Sequence, residues 1–230
     1  MGKILIGAAY AVYAAFWIRF FMHALLWARA MRRLAPAAFT APEFRIKTWA
    51  LTVLDIVFFG RLLAVNPLLW LGEWIFHASF LLVLCRHLRY FLNPVPAWVW
   101  WMQTPGLIAG YVLPLSLAYI LVVRLLTKHE RYASPANVVL LGLVLAISSL
   151  GVLMHAAFKP NLVEVKLFLF GIMSFSPAAA PDSLLFTIHF ALFLALVQLL
   201  PMHIFTAPLV MYEARKRDEA LQGLMHDPEG

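Results

Sequence analysis

Four histidines, paired on two apolar segments, are the residues of this chain best suited to chemistry. His77 and His87 lie in LLWLGEWIFHASFLLVLCRHLRYFL, and His189 and His203 lie in SLLFTIHFALFLALVQLLPMHIF. Histidine inside a membrane-length helix is rare and usually faces the bundle interior for a reason. Two per helix, on two helices, is the arrangement that clamps two haems, each iron taking one imidazole from each helix. Ten positions separate His77 from His87, about 15 Å of helical rise and about 80° short of whole turns. Fourteen separate His189 from His203, about 21 Å and about 40° short of whole turns. Each pair therefore keeps to one half of its helix, and the difference of about 6 Å in rise is left to tilt and to a kink expected at Pro201.

The elements that must position these residues are membrane spans. Of 230 residues, 63% are hydrophobic and 13% charged, far from the balance of a soluble domain. The net charge of +7 does not point to nucleic acid, because the basic residues fall at the ends of apolar runs rather than in one basic domain. The single cysteine, Cys85, excludes an intrachain disulfide and a cysteine-held iron–sulfur cluster. Without a C-x-x-C-H string any haem is b-type, held by histidine and packing alone.

A span needs about 20 apolar residues. Five segments qualify, roughly 4–28, 68–92, 105–126, 135–157 and 183–212, giving an all-α, integral membrane five-helix bundle over 1–212. The first run is too long for a signal-peptide core and reads as a retained anchor. The stretch 44–65 carries Arg45, Lys47, Asp55 and Arg61 and reads as an interfacial amphipathic segment. The tail 213–230 reads as short, charged and cytoplasmic.

With five spans, Arg29, Arg32, Arg33, Arg45, Lys47, Arg124, Lys128, Arg131, Arg215, Lys216 and Arg217 share one side. The other side holds Lys3, Arg86, Arg89, Lys159 and Lys166. The richer side is cytoplasmic, so the N-terminus is outside and the C-terminus is inside. The second and fifth spans are then antiparallel, and their histidines match by depth: His87 with His189 near the outer face, His77 with His203 nearer the cytoplasm.

Other residues have two readings each. Gly72, Ala78 and Ser79, and the Gly106-x-x-x-Gly110 string, suit either close helix packing or approach of a flat macrocycle. Arg86 and Arg89 suit either haem propionates or snorkelling to the interface, and Arg19 offers the same choice toward the inner haem. His155 is a substitute ligand for His87 or His189, or lines a quinone pocket. His23 has no depth-matched partner, and His129 and His226 fall in solvated loops.

The stretch FHASFLLVLCRHLRYFLNPVPAWVWWMQTPGLIAG, residues 76–110, resembles the second and third spans of the respiratory nitrate reductase gamma subunit family. The nearest likeness is to the DsrM-type cytochrome b of the membrane complex associated with dissimilatory sulfite reductase. RYASP at 131–135 and the two-histidine last span share the resemblance, which is weak over 1–66. It implies a di-haem b subunit with His77, His87, His189 and His203 as axial ligands. It also implies a menaquinol or ubiquinol site beside one haem and a cytosolic iron–sulfur subunit on the inner face. Further membrane and periplasmic subunits, and the prokaryotic cytoplasmic membrane, follow from it. The spacing of 14 on the last span is shorter than the nitrate reductase pattern, and the serine–lysine string expected before His203 in DsrM-type chains is missing.

Candidate quinone-site residues are Arg86, Arg89 and Gln103 at the outer end, and Arg19 and His23 at the inner end. The stretch 44–65 is the candidate docking surface for the cytosolic partner. No molybdenum, sirohaem or nucleotide motif occurs, so terminal chemistry belongs to other chains. The rival reading is a haem-free transporter or assembly scaffold, with intramembrane histidines and a proline-kinked last span lining a pathway. Against it stand the lack of repeat symmetry and the single acid, Glu73, within a span. A di-haem anchor of a hydrogenase or formate dehydrogenase is a third reading, which the RHLRYF region disfavours.

Overall fold

The computed structural model describes residues 2–34, 46–126 and 135–225. Arg45, Lys128, His129, Arg131, most of the RYASP turn and His226 lie outside the described residues, as do the side chains of Arg32, Arg33 and Lys47. The described residues are helical, with α1 (Gly2–Leu34), α2 (Ile46–Phe58), α3 (Gly60–Val65), α4 (Pro67–His87), α5 (Ala97–Trp101), α6 (Gln103–Leu126), α7 (Pro135–Ala156), α8 (Leu162–Met173) and α9 (Leu184–Met225). Five are long and apolar enough to cross a membrane: Gly2–Ala30, Pro67–Tyr90, Gln103–Leu126, Asn137–Ala156 and Leu184–His203. These are the five expected spans.

The packing order is what places the histidines. α4 packs on α6, α6 on α7, α7 on α9 and α9 on α1. α4 and α9, which carry His77 and His87 and His189 and His203, have no packed interface of their own among the described residues. One buried cluster joins Leu113 and Leu117 of α6, Val144 of α7 and Leu196 of α9, with Phe76, Phe80 and Val83 of α4 against it. A second joins α1, α8 and α9 through Leu5, Phe168, Phe186 and Phe190. Outward faces stay apolar, as Phe21, Leu25, Leu115, Val122 and Leu125 are exposed. That suits a bundle whose solvent is hydrocarbon.

Local signals set several ends. Asn66 caps α4, its side chain accepting from Leu69 N at 3.0 Å, with Pro67 in the first turn where its missing N–H costs nothing. Trp70 Nε1 donates to the Phe58 carbonyl at 2.6 Å and ties the end of α2 to α4.

Three regions differ from the sequence expectation. Within the stretch 44–65, the described residues from Ile46 on form two helices, broken at Phe59, whose φ of 51° is left-handed. Residues 158–182, left outside the spans, contain α8, whose Val165, Phe168 and Leu169 are buried. The tail continues α9 to Met225 as helix, because YEARKRDEALQ is rich in strong helix formers. At 42 residues, α9 is about 63 Å long, roughly twice the hydrocarbon thickness. It runs through Pro201, which is fully buried, without interruption.

Candidate functional site

On α4, both histidines use the carbonyl one turn back. His77 Nδ1 is 2.7 Å from the Glu73 carbonyl oxygen, and His87 Nδ1 is 2.7 Å from that of Val83. A carbonyl only accepts, so Nδ1 carries the proton in each ring and Nε2 keeps its lone pair. His189 lies within electrostatic reach of His87, and His203 within electrostatic reach of His77 and Glu73. The Ile147 backbone of α7 lies beside the His189 ring, whose buried Nδ1 makes no well-formed hydrogen bond among the described residues. A Cβ on Gly151 of α7 would stand in ordinary van der Waals contact with His189 Cε1, at 3.5 Å.

The two pairs have different surroundings. His77 is bracketed by Phe59 and Phe76, at ring-centroid distances of 4.8 and 4.5 Å. Its side chain is 38% exposed, and His203 is exposed too. Around His87 lies a polar cluster. Arg89 donates to Gln103 Oε1 at 2.7 Å and to the Tyr90 hydroxyl at 2.5 Å. Arg86 lies within electrostatic reach of Arg89, Tyr90 and Tyr111, and its Nε is buried without a partner. Tyr111 Oη and His155 Nδ1 are 3.1 Å apart, and His155 also feels Arg86, Arg89 and Lys159.

Arg86, Arg89, Gln103 and His155 thus gather at the His87 end. The inner-end candidates do not gather in the same way. Arg19 is exposed on α1, and neither it nor His23 has a hydrogen-bond or ion-pair partner among the described residues.

The glycines resolve toward packing. A Cβ on Gly72 would lie 2.7 Å from Tyr119 Cδ1 and 2.8 Å from Ile120 Cγ1, and one on Gly106 would lie 2.6 Å from Arg86 Cβ. Both positions are filled by the α4–α6 contact, which leaves no room for a macrocycle. Nothing lies within 4 Å of a Cβ on Gly110.

Two features escaped the sequence reading. Arg124 Nη2 donates to Glu73 Oε1 at 2.7 Å, an ion pair inside the bundle. The signal was Glu73 itself, an acid in a span that needs a cation; its partner, 51 positions away, was assigned to a loop flank. The second is α8, announced by Asn161-x-x-Glu164. Asn161 accepts from Val163 N at 3.1 Å and donates to Glu164 Oε1 at 2.8 Å, a reciprocal cap.

In the stretch expected to dock a partner, Asp55 pairs with Arg215 of α9 and lies 3.6 Å from Arg61 Nε. Arg215 also donates to the Leu51 carbonyl at 3.2 Å. These charges are therefore met within the chain.

Among the described residues no three His, Cys, Asp or Glu side chains gather as a metal site.

The chain is similar to two curated proteins, each described as an Hdr-like menaquinol oxidoreductase cytochrome b-like subunit. It is 34% identical to the one from Archaeoglobus profundus over 139 residues, covering 53% of this chain and 41% of the relative. It is also 34% identical to the one from Archaeoglobus fulgidus over 140 residues, covering 54% and 42%. The chain spans about two-fifths of the length of these relatives. No protein-family model matches it, and no solved structure does.

Proposed function

We propose that this chain is a di-haem cytochrome b subunit of a membrane complex that exchanges electrons with a quinone pool, menaquinone by analogy with its relatives' names. One observation carries the reading. His189 of α9 lies within electrostatic reach of His87 of α4, and His203 within reach of His77, although α4 and α9 have no packed interface among the described residues, and His77 and His87 each hold Nε2 free. His77 and His203 would hold one b-type haem, and His87 and His189 the other. When bound, each haem would supply a one-electron iron couple, and ligation by two imidazoles would suit electron transfer over oxygen binding. The buried His189 ring, whose Nδ1 makes no well-formed hydrogen bond among the described residues, fits that role.

The chain's own residues orient and shield. Carbonyls of Glu73 and Val83 fix the α4 rings and raise their basicity as ligands. Phe59 and Phe76 pack against the His77 ring and hold it on two sides. At the other end Arg86, Arg89, Gln103, Tyr111 and His155 are the proposed quinone site. The arginines and Gln103 would donate to a ring oxygen, and the Tyr111–His155 bond offers a place to hold one of the two protons that two-electron quinol oxidation releases.

We further infer that the His87–His189 end faces outward, the N-terminus lies outside, and a cytosolic iron–sulfur subunit takes up or delivers electrons at the other end. The likeness to nitrate reductase gamma and DsrM-type subunits belongs to this proposal. Pyridine haemochrome analysis of the purified chain tests it. Two b haems per chain are expected; a folded, monodisperse sample supplied with haem that binds none would overturn it in favour of the transporter or scaffold.

A further inference from the structure

Glu73 and Arg124 form an ion pair inside the apolar bundle, beside the His77–His203 pair. Glu73 stands one turn before His77 on α4, and Arg124 lies in the last turn of α6. Glu73 Oε1 takes the Arg124 Nη2 bond at 2.7 Å, while Oε2 lies 3.9 Å from His77 Nδ1. His203 also feels the Glu73 carboxylate. Both side chains are largely buried, Arg124 at 16% and Glu73 at 14% exposed. Among the described residues, Arg124 Nε and Nη1 are buried without acceptors, so much of the guanidinium's donor capacity goes unused there. An ion pair taken out of water is weak support for a fold, since desolvation offsets most of its attraction. Leaving two donors unmet adds to that cost. Stability alone is therefore a poor account of the pair.

We propose that the Glu73–Arg124 pair sets the reduction potential of the redox centre held by His77 and His203. The inference rests on the functional reading above. Gaining one electron adds one negative charge at that centre and breaks no bond. The Glu73 carboxylate, against the imidazole of His77, opposes that charge; the Arg124 guanidinium on the far side of the carboxylate favours it. In a low-dielectric interior each acts strongly at short range. The His87–His189 centre has no acid beside it among the described residues and lies about 15 Å away along α4, so the pair distinguishes the two centres. Both residues act through position and touch neither iron.

The test is a spectroelectrochemical titration of the full chain as Glu73→Gln, Arg124→Gln and the double variant, with haem counted first in each. At the wild-type midpoint of the inner centre, Glu73→Gln is expected to raise the reduced-to-oxidised ratio about tenfold, equal to about 59 mV for one electron. Arg124→Gln is expected to lower it by a similar factor, and the double variant to return it most of the way. Arg124→Lys, which keeps the charge, is expected to hold the wild-type ratio, and the outer centre to move little throughout. Single variants that keep both haems with unmoved potentials, or that move them in the same direction, would overturn the inference and leave the functional reading intact. Loss of the inner haem from both Gln variants would overturn it as well, assigning the pair to assembly. Absence of haem from the wild type would overturn the functional reading itself.

Discussion

An imidazole that gives its Nδ1 proton to the carbonyl one turn back has only Nε2 to offer a metal. His77 and His87 are both held that way. The histidines stood out in the sequence because each is an expensive residue in hydrocarbon, and their depth matching needed only the rise of a helix. Glu73–Arg124 was not legible, because nothing in a single sequence joins two positions 51 apart on different spans. The outer polar cluster was half legible. Arg86, Arg89 and Gln103 lie close in the chain, whereas the Tyr111–His155 contact depends on how α6 meets α7. At this scale the quinone site makes a prediction. Arg89→Gln removes a charged donor that also holds Gln103, a loss of about 1.5 kcal/mol or more. KM for a short-chain menaquinol is expected to rise about tenfold in steady-state assays with the haem count unchanged. An unaltered KM would move the site elsewhere.

Helices were easier to read than their roles. The five spans follow from length and hydropathy, and the structure has them. The two short helices of the 44–65 stretch depend on a left-handed Phe59 that no propensity announces. The glycines show the limit clearly, since G-x-x-x-G serves packing and cofactor approach equally well in a sequence. In the fold, Gly106 meets Arg86 Cβ and the Leu82 carbonyl, whereas Gly110 meets nothing. Gly106→Ala is therefore expected to cost about 1–3 kcal/mol through overpacking, and Gly110→Ala close to nothing. Thermal unfolding in detergent distinguishes them, and equal melting temperatures would refute the assignment of Gly106 to the α4–α6 contact. The tie from α2 to α9 behaves similarly. Arg215→Ala, which leaves Asp55 without that partner and frees the Leu51 carbonyl, is expected to lower the melting temperature and to open α2 to protease first.

For the whole molecule, the membrane does the sorting. Apolar faces point outward, polar groups gather at two levels inside, and the basic loops set the orientation proposed here. A C-terminal fluorescent-protein fusion is expected to fluoresce in the cytoplasm, and an N-terminal periplasmic phosphatase fusion to be active; the opposite pattern would invert the sidedness. The packing order α4–α6–α7–α9–α1 was beyond the sequence, because hydropathy marks spans without saying which neighbours they choose. That order keeps α4 and α9 apart while their histidines stay within electrostatic reach of one another, and the proposed function stands on it. The most direct measurement is the dithionite-reduced minus oxidised absorption spectrum of the purified chain and its four single His→Ala variants. The account predicts two b-type components in the wild type. His77→Ala and His203→Ala should lose the same one, and His87→Ala and His189→Ala the other. Loss of one component by His77→Ala and of the other by His203→Ala, or a wild type with no haem signal, would contradict it.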